Sequence, residues 1–92
     1  MINEETVLGV DQTKYLASGL GDEMILMNLK TGDYIALNAV SAEIWKKAEE
    51  SFTVRQIVSH LLQQYEVAEE ECKKETLACI EELLQKELLV IM

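Results

Sequence analysis

Apolar residues follow two rhythms along this chain. Up to Leu37 they come in short runs broken by turn-forming residues, and every glycine lies in this part. From Asn38 onward there is neither Gly nor Pro, and apolar residues recur at intervals of three and four. The first rhythm predicts short strands and the second predicts helices. No linker, repeat or low-complexity tract divides the chain. Residues 1–92 therefore read as one domain, with residues 1–5 expected to be flexible.

Thr6-Val7-Leu8-Gly9-Val10 and Lys14–Ser18 read as short strands, and Gly19-Leu20-Gly21-Asp22 turns the chain. Glu23–Leu29 is the clearest strand. Lys30-Thr31-Gly32-Asp33 makes a tight hairpin connection, with Gly32 free to take a positive φ, and Tyr34–Leu37 returns. Met24, Leu26 and Asn28 point one way along the clearest strand, and Ile25, Met27 and Leu29 the other. A sheet with one solvated face should alternate apolar and polar residues. Here either both faces are covered or one is a binding surface.

Asn38 is placed to cap a first helix whose apolar stripe is Val40, Ile44, Trp45 and Ala48, broken at Ser51-Phe52. Thr53 and Gln56 form a capping box for a second helix, with Phe52 and Ile57 as its hydrophobic staple. A third helix from Glu69 to Lys86 opens on three glutamates, where negative charge suits the helix dipole. Leu77, Ile80, Leu84 and Leu88 form one stripe; Cys72, Thr76, Cys79 and Leu83 form the next. Together they cover about half the circumference, wider than the ~100° a surface helix needs. Either this helix is the most buried one or its second stripe lines a groove. Leu88–Met92 reads as a last short strand or an apolar tail. The predicted class is α+β, a winged helix-turn-helix with a three-stranded antiparallel sheet followed by three helices.

Charge narrows the partners. Asp and Glu number 17 against 8 Lys and Arg, for a net charge of -9, and neither half is basic. Phosphate backbones bind through Lys and Arg, so nucleic acid is not an expected partner, least of all on a third helix crowded with glutamates. No apolar run approaches ~18 residues, which argues against a membrane span. The acidic N-terminus does not resemble a secretory signal, so a cytoplasmic location is expected.

Chemistry-bearing groups are sparse. Cys72 and Cys79 are two helical turns apart, about 10 Å by the helical rise and beyond disulfide reach. His60 is the only histidine and has no triad partner. Gly19-Leu20-Gly21 lacks the further glycine, lysine and following helix of a phosphate loop. We therefore expect a non-enzyme with no cofactor and no metal site.

The run Leu29-Lys30-Thr31-Gly32-Asp33-Tyr34-Ile35-Ala36-Leu37-Asn38, followed by Ala42-Glu43-Ile44-Trp45, resembles the PqqD-like family. Its members carry "D-x-x-T-G-x-Y-x-x-L-N" and then an alanine-rich helix ending in Ile-Trp. Thr53–Val58, Leu61, Tyr65-Glu66-Val67 and Ile80–Leu89 extend the likeness over residues 14–90. Two positions depart from it: Asn28 stands where an acid is common, and Glu87 where a glycine is frequent. The latter is expected to leave the last helix without its αL glycine.

The resemblance implies a stand-alone recognition element that holds the leader segment of a ribosomally made precursor peptide. It would present that peptide to a leader peptidase or another modifying enzyme, with lasso-peptide biosynthesis the favoured setting. A winged-helix nucleic-acid binder and a protein–protein adaptor are the alternatives. Residues and resemblance meet on Tyr34, Ile35, Ala36 and Leu37. As a sheet edge this strand could accept an extended guest. Guest side chains would enter a cleft lined by Thr76, Cys79, Ile80 and Leu83, with Lys73 at its rim. Ile35→Pro is expected to break the guest ladder. The same edge could pair with a second copy, giving a homodimer.

Overall fold

The computed structural model describes residues 2–92, with Leu20 described by its backbone alone. The order is β1 (Leu8–Gly9), β2 (Tyr15–Leu20), β3 (Glu23–Asn28), β4 (Tyr34–Leu37), α1 (Ala39–Glu49), α2 (Val54–Gln64), α3 (Glu69–Gln85) and β5 (Val90–Ile91). Strands β2, β3 and β4 form an antiparallel sheet in that order, and β1 pairs with β5 in a separate two-stranded ribbon. The expected α+β arrangement of a three-stranded sheet followed by three helices is therefore present. The C-terminal segment returns to the N-terminus as a strand, and a Cβ at Gly9 would collide with the Met92 thioether.

Local chemistry sets the turns. Gly21 (φ 63°) opens the two-residue β2–β3 turn, as a type II′ hairpin requires. In the β3–β4 connection, Asn28 Oδ1 accepts from the N–H groups of Lys30 (2.9 Å) and Thr31 (3.2 Å), and Gly32 takes φ 80°. An aspartate could accept the same two bonds, so Asn28 keeps the turn despite departing from the motif. Asn38 caps α1 by accepting from Ser41 N–H at 2.9 Å, and Thr53 with Gln56 completes its box at α2.

Helices α1 and α3 both end in Schellman motifs without glycine. Ser51 N–H donates to Ala48 C=O and Phe52 N–H to Lys47 C=O, with Ser51 at φ 59°. Glu87 N–H donates to Leu84 C=O and Leu88 N–H to Leu83 C=O, with Glu87 at φ 60°. As expected, this helix ends without its αL glycine. The left-handed turn forms without glycine, because it buries Leu88 against the core.

The core is built from Leu8, Leu26, Ile44, Trp45, Ile57, Ile80, Leu88 and Leu89, drawn from both sheets and all three helices. Trp45 Nε1–H donates to the Leu88 carbonyl at 3.2 Å, joining α1 to the segment after α3. Met24, Leu26 and Leu37 supply the buried face of the three-stranded sheet. On its outer face Leu16 and Tyr34 stay exposed, beside half-buried Ile25 and Met27. Only one sheet face is covered by this chain's own helices.

The segment before β1, expected to be flexible, makes defined contacts over residues 2–5; Met1 lies outside the described residues. Ile2 packs on the core, and Arg55 N–H donates to Glu4 C=O at 3.0 Å. Lys73 and Arg55 contact the Glu4 carboxylate, and Arg55 reaches Glu5 at 2.6 Å. These charges hold the Glu4 carboxyl below its ordinary range, chiefly through the Lys73 hydrogen bond and charge.

Candidate functional site

β4 is the edge of the three-stranded sheet. Asn28 N–H donates to Asp33 C=O at 2.8 Å, and Leu29 N–H donates to Lys14 C=O at 2.8 Å. Even-numbered residues of β3 therefore turn their main chain to β4, and odd-numbered ones to β2. The register places Ile35 opposite Leu26 and Leu37 opposite Met24. Ile35 and Leu37 thus spend their N–H and C=O groups inside the sheet. Tyr34 and Ala36 present theirs on the open side. This corrects the expected effect of Ile35→Pro, which would break the protein's own ladder. Ala36 is the position whose N–H a guest would use.

Side chains alternate with the same period. Ile35 and Leu37 point inward, whereas Ala36 and Tyr34 (71% exposed) stand on the outer face. Beside the open edge lies a cleft of about 180 Å³ between β4 and α3. Ile35, Ala36, Leu37, Cys79 and Leu83 line it, so the structure brings together these five of the nine sequence-chosen positions. Tyr34 belongs to the same edge without lining the cleft.

The other three positions face elsewhere. Ile80 is fully buried and Thr76 is 2% exposed, so both turn towards the interior rather than the β4 cleft. Lys73 contacts Glu4 beside a separate hollow between α2 and the start of α3. It lies about 120° around the helix from Cys79, too far to serve the β4 rim. The apolar arc of α3 is wide, and the sequence alone did not fix which edge of it meets the sheet.

Asn38, Ser41, Glu82, Lys86 and Leu88 also line the cleft and were not chosen as site residues from sequence. Cys79, Glu82, Leu83 and Lys86 follow the i, i+3, i+4, i+7 spacing of one helix face, a signal that could have found the last two polar members. Ser41 Oγ and Cys79 Sγ lie 3.2 Å apart and join α1 to α3 at the cleft floor. Lys86 and Glu82 pair at 3.2 Å on the exposed rim, leaving its charge balanced. Ile35, Leu37, Leu83 and Leu88 give the cleft apolar side chains beside polar Asn38, Ser41, Glu82 and Lys86, and the open main-chain groups lie along one wall, an arrangement that suits an extended chain.

His60 is engaged with Glu43 at 3.0 Å, away from this cleft. Cys72 and Cys79 are both free thiols. Among the described residues no group of three or more His, Cys, Asp or Glu side chains could hold a metal ion, and no helix is long and apolar enough to cross a membrane.

Solved structures similar to this chain include two complexes with leader peptides. TbiB1, solved in complex with the TbiA(beta) leader peptide, superimposes with a TM-score of 0.77 at 28% identity, covering 88% of this chain and 93% of its own. A lasso peptide synthetase B1 complexed with its leader peptide matches with a TM-score of 0.76, covering 90% and 96%; at 17% identity it shows the shared fold. A search of curated proteins found no match. The profile of the family described as coenzyme PQQ synthesis protein D (PqqD) matches residues 23–89, and the chain belongs to that family.

Proposed function

We propose that this protein holds the leader segment of a ribosomally synthesised precursor peptide as a fourth strand on β4. The observation that carries the proposal is the free edge: Tyr34 and Ala36 turn two N–H and two C=O groups away from β3, directly beside the cleft to α3. Main-chain bonds to these groups set the register of a guest. Its alternate side chains enter the cleft over Cys79 and Leu83 and supply sequence preference. The two solved relatives, one of them a lasso peptide synthetase, are both complexes with leader peptides. Lasso-peptide biosynthesis is the pathway class we favour.

Burying on the order of 400 Å² of apolar surface at ~25 cal/mol per Å² gives about 10 kcal/mol before ordering costs. Those costs are several kcal/mol for a disordered guest, which leaves affinity in the micromolar range or somewhat tighter. The protein's task is binding and presentation, and the bound peptide passes to a leader peptidase or another modifying enzyme of the same pathway. The test is titration of the ¹⁵N-labelled chain with a synthetic leader encoded beside its gene. Amide shifts centred on Tyr34, Ala36 and Cys79–Lys86 are expected. Shifts confined to other faces, or none at saturating peptide, would reject the site.

A further inference from the structure

The three-stranded sheet has a second edge, along β2. Leu29 N–H donates to Lys14 C=O, and the register sets Leu16 opposite Met27 and Ser18 opposite Ile25. Lys14, Leu16 and Ser18 therefore spend their main-chain groups on β3, and Tyr15, Ala17 and Gly19 turn theirs outward. Among the described residues no main-chain bond from another segment reaches these three. The space beside Gly19 is open, since a Cβ there would have no neighbour within 4 Å. β4 offers two outward-turned residues and β2 offers three. Edge strands are commonly guarded by charge, proline or a bulge. β2 has no charged residue and no proline, and its register with β3 runs from Tyr15 to Leu20 without a bulge. α1 packs chiefly against β1, β3 and β4, away from this edge.

We infer that β2 is a self-association edge, on which a second copy of this chain pairs antiparallel about a two-fold axis through Ala17. The occupant follows from the register. Pairing Ala17 with the partner's Ala17 sets Tyr15 opposite the partner's Gly19, and the reverse at the other end. The three outward N–H groups of each copy then all meet carbonyls of the other. Shape agrees with this pairing. Tyr15 and Ala17 face inward, so each Tyr15 stands beside the partner's Gly19, where no side chain competes for the space. On the outer face Leu16, 54% exposed, comes opposite the partner's Ser18 and diagonal to the partner's Leu16, within side-chain reach. Charge agrees as well. Lys14 falls opposite the partner's Leu20, whose cross-strand neighbour is Glu23. Two strand spacings, about 10 Å, separate Lys14 from the partner's Glu23, a gap that two long side chains close, and symmetry supplies the pair twice. The net charge of -9 acts against any second copy, but β2 itself is uncharged, and physiological salt screens charges more than about 8 Å apart. The product is one six-stranded sheet with a β4 at each end, roughly 24 Å apart. Each β4 keeps its open edge and its cleft to α3, so this pairing does not compete with a guest.

The test is sedimentation equilibrium of the full-length chain over a concentration series, with amide hydrogen exchange read by NMR at the same concentrations. Wild type should move from the mass of one chain towards that of two. The amides of Tyr15, Ala17 and Gly19 should gain protection in step, while those of Tyr34 and Ala36 stay unprotected. Ala17→Pro removes the donor at the axis, and because that N–H faces away from β3 the single chain keeps its own ladder. Leu16→Lys sets two like charges diagonally across the axis from an already exposed position. Each variant should weaken dimerisation by about tenfold or more, and Ala36→Pro should leave it within about twofold of wild type. Thermal melts check the fold of all three, and Leu16→Lys decides alone if Ala17→Pro does not fold. A chain that stays monomeric at every concentration would overturn the proposal. So would a dimer that Leu16→Lys leaves intact, or one that Ala36→Pro abolishes, which would place the contact on β4.

Discussion

Ala36→Pro separates the guest ladder from the host ladder. The Ala36 side chain is exposed, and its N–H points away from β3, so proline removes no bond of the folded protein. Residue 35 already lies in a strand, the conformation that a following proline favours. The variant should therefore melt close to wild type. In the complex the substitution deletes a donor and puts the ring Cδ where a guest carbonyl would dock. That carbonyl is then covered without a partner, which costs about 1–3 kcal/mol. Since ~1.4 kcal/mol is tenfold in affinity, the expected loss is roughly 5- to 150-fold, with the ring's bulk pushing to the upper end. Fluorescence anisotropy with a labelled leader gives the Kd, and circular dichroism gives the melt. Ile35→Pro is the contrasting variant: it removes a bond to β3 and should lower the melting temperature itself. A folded Ala36→Pro protein that binds within twofold of wild type would refute strand addition at β4.

The remaining predictions concern what holds the edge in place. Glu87→Gly should stabilise the protein by about 0.5–1 kcal/mol. A non-glycine residue at positive φ costs ~1–2 kcal/mol, and glycine returns ~0.5–1 of this as extra entropy of the unfolded chain. The melting temperature should rise by a few degrees, at about 4–8 °C per kcal/mol, and Ser51→Gly should act in the same sense; a fall in either would contradict the capping geometry. Trp45→Phe leaves the buried Leu88 carbonyl without its donor and should cost about 1–3 kcal/mol in urea unfolding, before any cavity effect. Because Lys73 and Arg55 depress the Glu4 carboxyl, its contribution is full above the ordinary carboxylate pKa and is lost as pH falls through the lowered value. Wild type should therefore melt above Glu4→Gln at neutral pH, and the difference should vanish in acid; a gap that persists in acid would show that the charges are not its source.

Much of this fold was legible because its signals are local. Asn38, Thr53 with Gln56, and Gly32 each fix an element boundary through bonds spanning a few residues, and the structure places all three as the sequence suggests. The β4 edge followed from strand order. Other features depend on partners far away in sequence. The rotation of α3 is set by what packs on it, and an apolar arc covering half a helix fits several rotations; hence Thr76 and Ile80 turned inward while Cys79 and Leu83 met the cleft. Lys73 was drawn to Glu4, a pairing no periodicity contains. The alternation of main-chain bonds along β4 could not be read from residue types either. It follows from which residue of β3 meets Asp33, a detail of turn geometry.

If β4 holds a guest as proposed, the same edge must resist pairing with its own copies, and several features of the chain oppose such pairing. β4 is only four residues long, and Tyr34 and Ala36 alone turn main-chain groups outward, so a copy gains few bonds by docking edge to edge. Each molecule carries a net charge of -9, which opposes the approach of a second one. A short unstructured peptide escapes much of that repulsion and can follow the cleft beyond the end of β4, where a folded copy of this chain would be held off by its own helices. The neutral Lys86–Glu82 rim keeps the general acidity from being repeated at the entrance. On the proposed reading, selection between guest and copy rests on reach along the cleft to α3 more than on hydrogen bonds at the edge, which are the same for both.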